Sequence, residues 1–332
     1  MASHIGRRKF LATLGAVAAW PLAARAQQYQ ALPRVGLVSI GADPRNPVIF
    51  VPFFEQMRQL GYVEGQNIVF ERRFAAGHDE LISDFAVDLV RRTVDVIVVT
   101  GQREGLAAKR ATSSIPIVMV VNPDPIGTGL AASLARPGGN VTGLTTMDFA
   151  IYGKRVEFLK EAVPGIKKVV FLVSPSNLTY KPHTQWARDV EAAARGLGVD
   201  LAIVEATPAS IDAVIAAAAA RGAGGLIVAF DGVYVASRAE IAESTIKHRM
   251  PAIFGLRDHA EVGGFLVYAA RISDLSRRAA FFVDHILKGT KPADLAIQQP
   301  AKFDLIVNLK TAKLLGLTIP PTLLAIADEV IE

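Results

Sequence analysis

From residue 33 onward, short runs of β-branched and other apolar residues alternate with stretches whose apolar positions recur at helical spacing. Arg34-Val35-Gly36-Leu37-Val38-Ser39-Ile40 reads as a buried strand, Val51 to Leu60 as a helix ended by Gly61, and Asn67-Ile68-Val69-Phe70-Glu71 as a second strand. Leu81 to Arg91 and Gly105 to Ala111 read as helices, with strands at Asp95–Thr100, Ile117–Val121 and Asn140–Leu144. The pattern restarts after a helix at Lys154–Val163. Strands follow at Lys168–Val173, Asp200–Glu205, Gly225–Phe230, Ala252–Phe254 and Gly264–Tyr268, separated by helices at His183–Gly196, Ser210–Arg221 and Val235–Arg249. A helix at Leu275–Leu287, a strand at Phe303–Asn308 and a C-terminal helix close the chain. Apolar strands alternating with helices imply parallel sheets covered on both faces. The expected fold is therefore α/β, with two doubly wound parallel-sheet lobes joined by a hinge. No long linker separates the halves, so the connections are expected to be short crossings.

The first 26 residues break this pattern. Gly6-Arg7-Arg8-Lys9-Phe10-Leu11 precedes an apolar run from Leu11 to Leu22, and Ala24-Arg25-Ala26 forms a small-residue cleavage site. A charged start, a short apolar stretch and such a site predict a cleavable signal peptide, and the paired arginines fit the twin-arginine kind. The expected organisation is a leader at 1–26, a first lobe of 32–147 with 272–297, and a second of 148–271 with 298–332. Export to the periplasm follows from the leader.

The leader also carries the charge. The chain has a formal net charge of +5, but Arg7, Arg8, Lys9 and Arg25 are among its 36 basic residues. The rest holds 32 basic against 31 acidic residues. A near-neutral mature protein gives no electrostatic ground for nucleic-acid binding. The chain contains no cysteine, which excludes disulfides, thiolate metal sites, Cys nucleophiles and an N-terminal lipidated Cys.

Enzyme signatures are thin. Gly127-Thr128-Gly129-Leu130-Ala131-Ala132 matches a loose dinucleotide fingerprint but lies beyond Asn122-Pro123-Asp124-Pro125 instead of opening the first strand–helix turn. Ser244-Thr245-Ile246-Lys247 lies within a predicted helix and lacks the partner motifs that S-x-x-K requires. His78, His183, His248, His259 and His285 show no metal spacing. No cofactor is expected.

Several long stretches resemble the ABC-transporter substrate-binding proteins that include tryptophan- and tyrosine-type receptors. They are Leu60-Gly61-Tyr62-Val63-Glu64-Gly65-Gln66-Asn67-Ile68, Val94-Asp95-Val96-Ile97-Val98, and Ser133 through Gly143 (SLARPGGNVTG). Ile286 through Leu295, Asn308 through Lys313 and Ala327-Asp328-Glu329-Val330-Ile331 continue the resemblance. The chain departs from that family at Val267-Tyr268-Ala269, where Ser-Tyr-Gly is expected. The resemblance implies a periplasmic binding protein of type 1, no enzymatic activity, an inner-membrane ABC permease as partner, and an amino acid or small carboxylate as solute. The chain is expected to act as a monomer. An exported redox enzyme and a receptor for a membrane kinase remain the alternatives.

Ligands of open α/β sheets bind outside the carboxyl ends of the strands. That rule selects Ser39, Ile40, Thr100, Gly101, Gln102, Asn122 and Asp124 in the first half. In the second it selects Ser174, Asn177, Phe230, Asp231 and Tyr268. Ser39 and Thr100 fit a ligand carboxylate or a helix cap, and Asp231 fits a ligand ammonium or an Asp-Gly turn. Asp124, between two prolines, fits a rigid turn before a ligand contact. Phe74, Phe230 and Tyr234 fit the core as well as an aromatic platform, and Arg73 fits a solvated surface before an anion site.

Overall fold

The computed structural model describes residues 32–41, 49–146, 148–177, 180 and 185–332. The expected leader lies outside the described residues.

The first sheet contains β1 (Arg34–Ser39), β2 (Val69–Phe74), β3 (Val96–Val99), β4 (Ile117–Met119) and β5 (Val141–Gly143). Its order is β2-β1-β3-β4-β5, with every pair parallel. Helices α1 (Phe50–Gln59), α2 (Ile82–Arg91) and α3 (Gln102–Ala111) connect the first four strands. The period of two along β1 separates the faces. Val35 and Leu37 pack with Phe50, Phe53 and Met57 of α1, whereas Val38 packs with Ile82, Ala86 and Leu89 of α2. Gly36 faces α2 as well, where a Cβ would lie 2.7 Å from Leu89 Cδ1.

The second sheet contains β6 (Lys168–Val173), β7 (Asp200–Glu205), β8 (Gly225–Val228), β9 (Ala252–Phe254), β10 (Leu266–Ala270), β11 (Phe303–Asn308) and β12 (Glu329–Ile331). Their order is β12-β11-β10-β9-β8-β6-β7. Around it lie α4 (Asp148–Ala162), α5 (Gln185–Gly196), α6 (Ile211–Ala220), α7 (Gly232–Ala236), α8 (Arg238–Lys247) and α9 (Asp258–Glu261). After β10 the chain crosses back, and α10 (Ile272–Leu287) packs against α1 under the first sheet through Leu275, Ala279 and Val283. It then returns for β11, α11 (Leu309–Leu315), α12 (Pro321–Ile326) and β12.

Three expectations are corrected. The second sheet is not wholly parallel, because β11 runs antiparallel to β10 with Phe303 opposite Ala270. The chain leaves β10 at its carboxyl end and re-enters from the first lobe at that same end, so β11 must run the other way. The second strand starts at Val69, not Asn67, because Asn67 closes a turn. Its Oδ1 accepts from Val63 N at 2.7 Å and its Nδ2 donates to Gly61 O at 2.8 Å. The single helix expected over Val235–Arg249 is two helices meeting at Ser237, the first of them capped by Asp231.

The crossing segments pair with each other. Gln298 N donates to Gly143 O at 2.9 Å, and Gln298 O accepts from Thr145 N at 3.0 Å. Two of the crossing segments are thus tied at the carboxyl end of β5.

Candidate functional site

In the first lobe the carboxyl ends of β1 and β3 bring Ser39, Ile40, Thr100 and Gly101 around one carboxyl group that sequence reasoning missed. Glu104, on the first turn of α3, is 2% exposed. It accepts from Ile40 N at 2.9 Å and from Thr100 Oγ1 at 3.1 Å. Burial raises its pKa above the usual 4.5. Ser39 Oγ accepts from Gly41 N at 3.1 Å and lies 2.9 Å from Thr100 Oγ1. Gly101 caps α3 with extended backbone, and a Cβ there would sit 2.6 Å from Glu104 Oε2. Glu three residues after a cap, at Gly101-Gln102-Arg103-Glu104, is a pattern that reasoning about helix starts could have found. Gln102 is half-buried as the first residue of α3.

After β4, Asn122 is fully buried and accepts from Asp124 N at 3.0 Å. The Asp124 carboxylate accepts from Gly127 N at 2.7 Å and its carbonyl from Thr128 Oγ1 at 2.6 Å. Asp124 therefore holds the turn that the flanking prolines begin.

In the second lobe β6 and β8 bring Ser174, Asn177 and Asp231 together. Asn177 Nδ2 donates to Asp231 Oδ2 at 2.7 Å, and Asn177 Oδ1 accepts from Tyr180 N at 2.8 Å. Asp231 Oδ1 accepts from Val233 N at 2.9 Å, which caps α7. The carboxylate is 8% exposed and forms no salt bridge among the described residues. Ser174 Oγ bonds Ser176 Oγ at 2.8 Å, and its carbonyl accepts from Asn177 N at 2.9 Å.

The two rims touch. Arg103 Nη2 donates to Ser176 O at 2.8 Å across the lobes. A Cβ on Gly232 would lie 3.3 Å from Ile40 Cγ2, which places the Asp231-Gly232 turn against the end of β1. Phe230, Val235 and Leu256 of the second lobe join the apolar cluster of Phe50, Phe74, Val120 and Val121 of the first. Phe74 meets Phe50 edge-on at 4.9 Å.

Other candidates make contacts of their own. Tyr234 is fully buried within the second lobe and donates to Ala206 O at 2.9 Å; burial, with Asp231 nearby, pushes its phenol pKa up. The Tyr268 ring packs on Phe158 at 4.9 Å and Phe303 at 5.6 Å. Arg73 pairs with Asp88 of α2 and with Glu71 on its own edge strand. Sequence reasoning also missed Arg155, which is fully buried. Its Nε donates to Tyr268 O at 2.9 Å and its guanidinium covers the Tyr152 ring at 4.6 Å. Helical spacing from Tyr152 through Val156 and Leu159 is the signal that turns Arg155 inward.

Two doubly wound lobes whose polar rims face each other beside paired crossings give the fold of type 1 periplasmic binding proteins. The family model for ABC transporter substrate binding proteins matches residues 48–331, and the chain belongs to that family. A tyrosine-binding protein of Clostridioides difficile (strain R20291) is 24% identical over 80% of this chain and 75% of its own length. A conserved domain protein from Vibrio cholerae superposes with a TM-score of 0.82 at 24% identity, covering 90% of this chain and 99% of that one. The ABC domain from Streptococcus pneumoniae in complex with L-Trp gives 0.81 at 22% identity, covering 91% and 100%. The family is one of solute-binding proteins, not enzymes. Among the described residues, no helix is long and apolar enough to cross a membrane.

Proposed function

We propose that this protein is the exported solute receptor of an ABC importer and that it clamps an α-amino acid, preferably an aromatic one, between its lobes. The observation that carries the reading is Asp231. It is a buried carboxylate with no cationic partner among the described residues, on the rim that meets the end of β1. Burying a lone charge is costly, and a ligand ammonium is the group that would neutralise it. Ser39 Oγ, which accepts from Gly41 N and lies against Thr100 Oγ1, adds a hydroxyl-lined edge that suits a polar ligand group. Phe74 and Phe230, half-buried where the lobes meet, suit an apolar or aromatic side chain. The solutes named for the tyrosine-binding relative and the L-Trp complex agree with this chemistry.

The moving bodies are residues 32–147 with 272–297 and residues 148–271 with 298–332. A solute held by both stabilises the closed form, which a permease in the inner membrane recognises. The twin-arginine leader at 1–26 carries the chain to the periplasm, where it acts as a monomer.

The test is a thermal-shift screen of the purified protein against amino acids, aromatic acids, sugars and nucleosides, followed by calorimetry with the best binder. One or more aromatic amino acids should raise the melting temperature, since a ligand of the folded state stabilises it. Asp231→Asn should weaken that binding more than about tenfold, the scale of one lost charge-assisted hydrogen bond. Stabilisation by a sugar or nucleoside alone would overturn the amino-acid reading. Unchanged affinity in Asp231→Asn would remove that residue from the site.

A further inference from the structure

Two buried side chains of the first lobe each keep a polar atom without a partner among the described residues, where the chain departs for the second. Asn122 is 0% exposed. Its Oδ1 accepts from Asp124 N, which fixes the amide's orientation, and its Nδ2 finds no acceptor among the described residues. Thr146 is 2% exposed and lies two residues before α4. Its N–H donates to Asn122 O at 2.9 Å, so the two residues are neighbours, and its Oγ1 also has no partner among the described residues.

Buried polar groups in folded proteins are nearly always paired, and an orphan calls for an explanation. The same part of the fold shows what a structural role looks like. Buried Asn140 donates from Nδ2 to Thr112 O at 3.1 Å and Ile115 O at 2.8 Å. Thr142, fully buried in β5, donates to Leu295 O at 2.6 Å. Asn140 and Thr142 are satisfied by the protein; Asn122 Nδ2 and Thr146 Oγ1, at the carboxyl edge of the same sheet, find no partner among the described residues. Ligands bind at that edge in open α/β sheets.

We propose that Asn122 Nδ2 and Thr146 Oγ1 form a donor pair that receives the carboxylate of the solute, while Asp231 holds its ammonium. The inference rests on the amino-acid reading above. An acceptor is required because the Asn122 oxygen is already used and the amide offers only N–H bonds. A carboxylate oxygen is the strongest acceptor an α-amino acid carries and takes donors from two sides at once. Two residues on adjoining segments would thus read the one group that separates an amino acid from its decarboxylated amine.

The experiment is calorimetric titration of the wild-type protein, Thr146→Val, Thr146→Ser and Asn122→Asp with L-tyrosine and L-tryptophan, each paired with tyramine or tryptamine. Thr146→Val preserves shape and removes only the hydroxyl. It should lose about tenfold in affinity for the amino acid and none for the amine, with Thr146→Ser restoring wild-type binding. Asn122→Asp keeps the acceptor for Asp124 N but sets an anion against the carboxylate, and should lose about a hundredfold. Wild-type binding with Thr146→Val unmoved would overturn the donor pair and leave Asp231 untouched. Equal wild-type affinity for acid and amine would overturn it too. A wild-type protein that binds neither amino acid would instead overturn the amino-acid reading, and the carboxylate assignment with it.

Discussion

Arg103, on the first turn of α3, donates from Nη2 to the carbonyl of Ser176 at 2.8 Å, linking the end of β3 in one lobe to the end of β6 in the other. The same guanidinium meets Asp79 of its own lobe, so the side chain is held in place as it reaches across. Under the hinge closure proposed above, this bond would form only in the closed arrangement and would bias the equilibrium toward it. Replacing Arg103 with Met should lower solute affinity by about threefold to tenfold, the scale of one partly exposed hydrogen bond. X-ray scattering at equal solute saturation should show a larger radius of gyration. If neither quantity moves, closure does not depend on this contact.

Glu104 gives the first lobe a pH dependence. Burial holds its pKa above 4.5, so the native state keeps a proton that the unfolded chain has already released. Its stabilising contribution is complete below the unfolded value and is lost as pH rises through the folded one. Glu104→Gln keeps an acceptor for Ile40 N and Thr100 Oγ1 without the buried charge. It should melt roughly 2 °C or more above the wild type at pH 8 and show a flatter melting curve against pH. A variant less stable at pH 8 would mean that the charged carboxylate is favoured where it sits.

His259 acts with the opposite sign. It is 2% exposed, stacks on Phe254 at 4.6 Å and bonds Leu256 O through Nδ1 at 3.3 Å. Burial lowers its pKa from 6.5 to about 4. Between those values the unfolded chain binds the proton and the native protein does not, so stability is present above pH 6.5 and falls as pH drops toward 4. The loss is on the order of 3 kcal/mol at most. Urea unfolding of His259→Phe between pH 7 and pH 4 should show a shallower decline than the wild type. Parallel declines would assign the acid sensitivity to other groups.

Gly143 answers to backbone geometry alone. It ends β5 at φ +127°, and a Cβ there would stand 2.5 Å from Met119 N and closer still to Met119 O. Its own carbonyl accepts from Gln298 N, the start of the last crossing. Alanine should cost at least about 3 kcal/mol, because left-handed backbone strain and a clash with β4 add. Denaturant titration checks this. A loss under about 1 kcal/mol would mean that β5 can part from β4 at little cost.

These residues also show what could be read in advance. Val35, Leu37 and Val38 announce β1 and its two buried faces through period and β-branching alone. The resemblance of SLARPGGNVTG to its family ends on Gly143, whose necessity is a contact with Met119 that lies 24 positions earlier. Ser39, Thr100 and Asn122 could be placed at strand ends by rule, and Ser174, Asn177 and Asp231 likewise. Which of them meet could not. Glu104 and Arg155 carry a local signal, in the start of α3 and the spacing along α4, but the packing of α3 and α4 sets how fully they are buried.

The chain itself therefore determined the two α/β halves and the polar residues at the strand ends, because hydrophobic period and turn chemistry act within a few residues, and its long resembling stretches carried the family. The tertiary structure decided the rest. It set the reversed β11, the pairing of Asn177 with Asp231, the bond from Arg103 to Ser176 and the donors of Asn122 and Thr146 that lack a partner among the described residues. Each of these depends on where separate segments come to lie beside one another, and local periodicity carries no record of that distance.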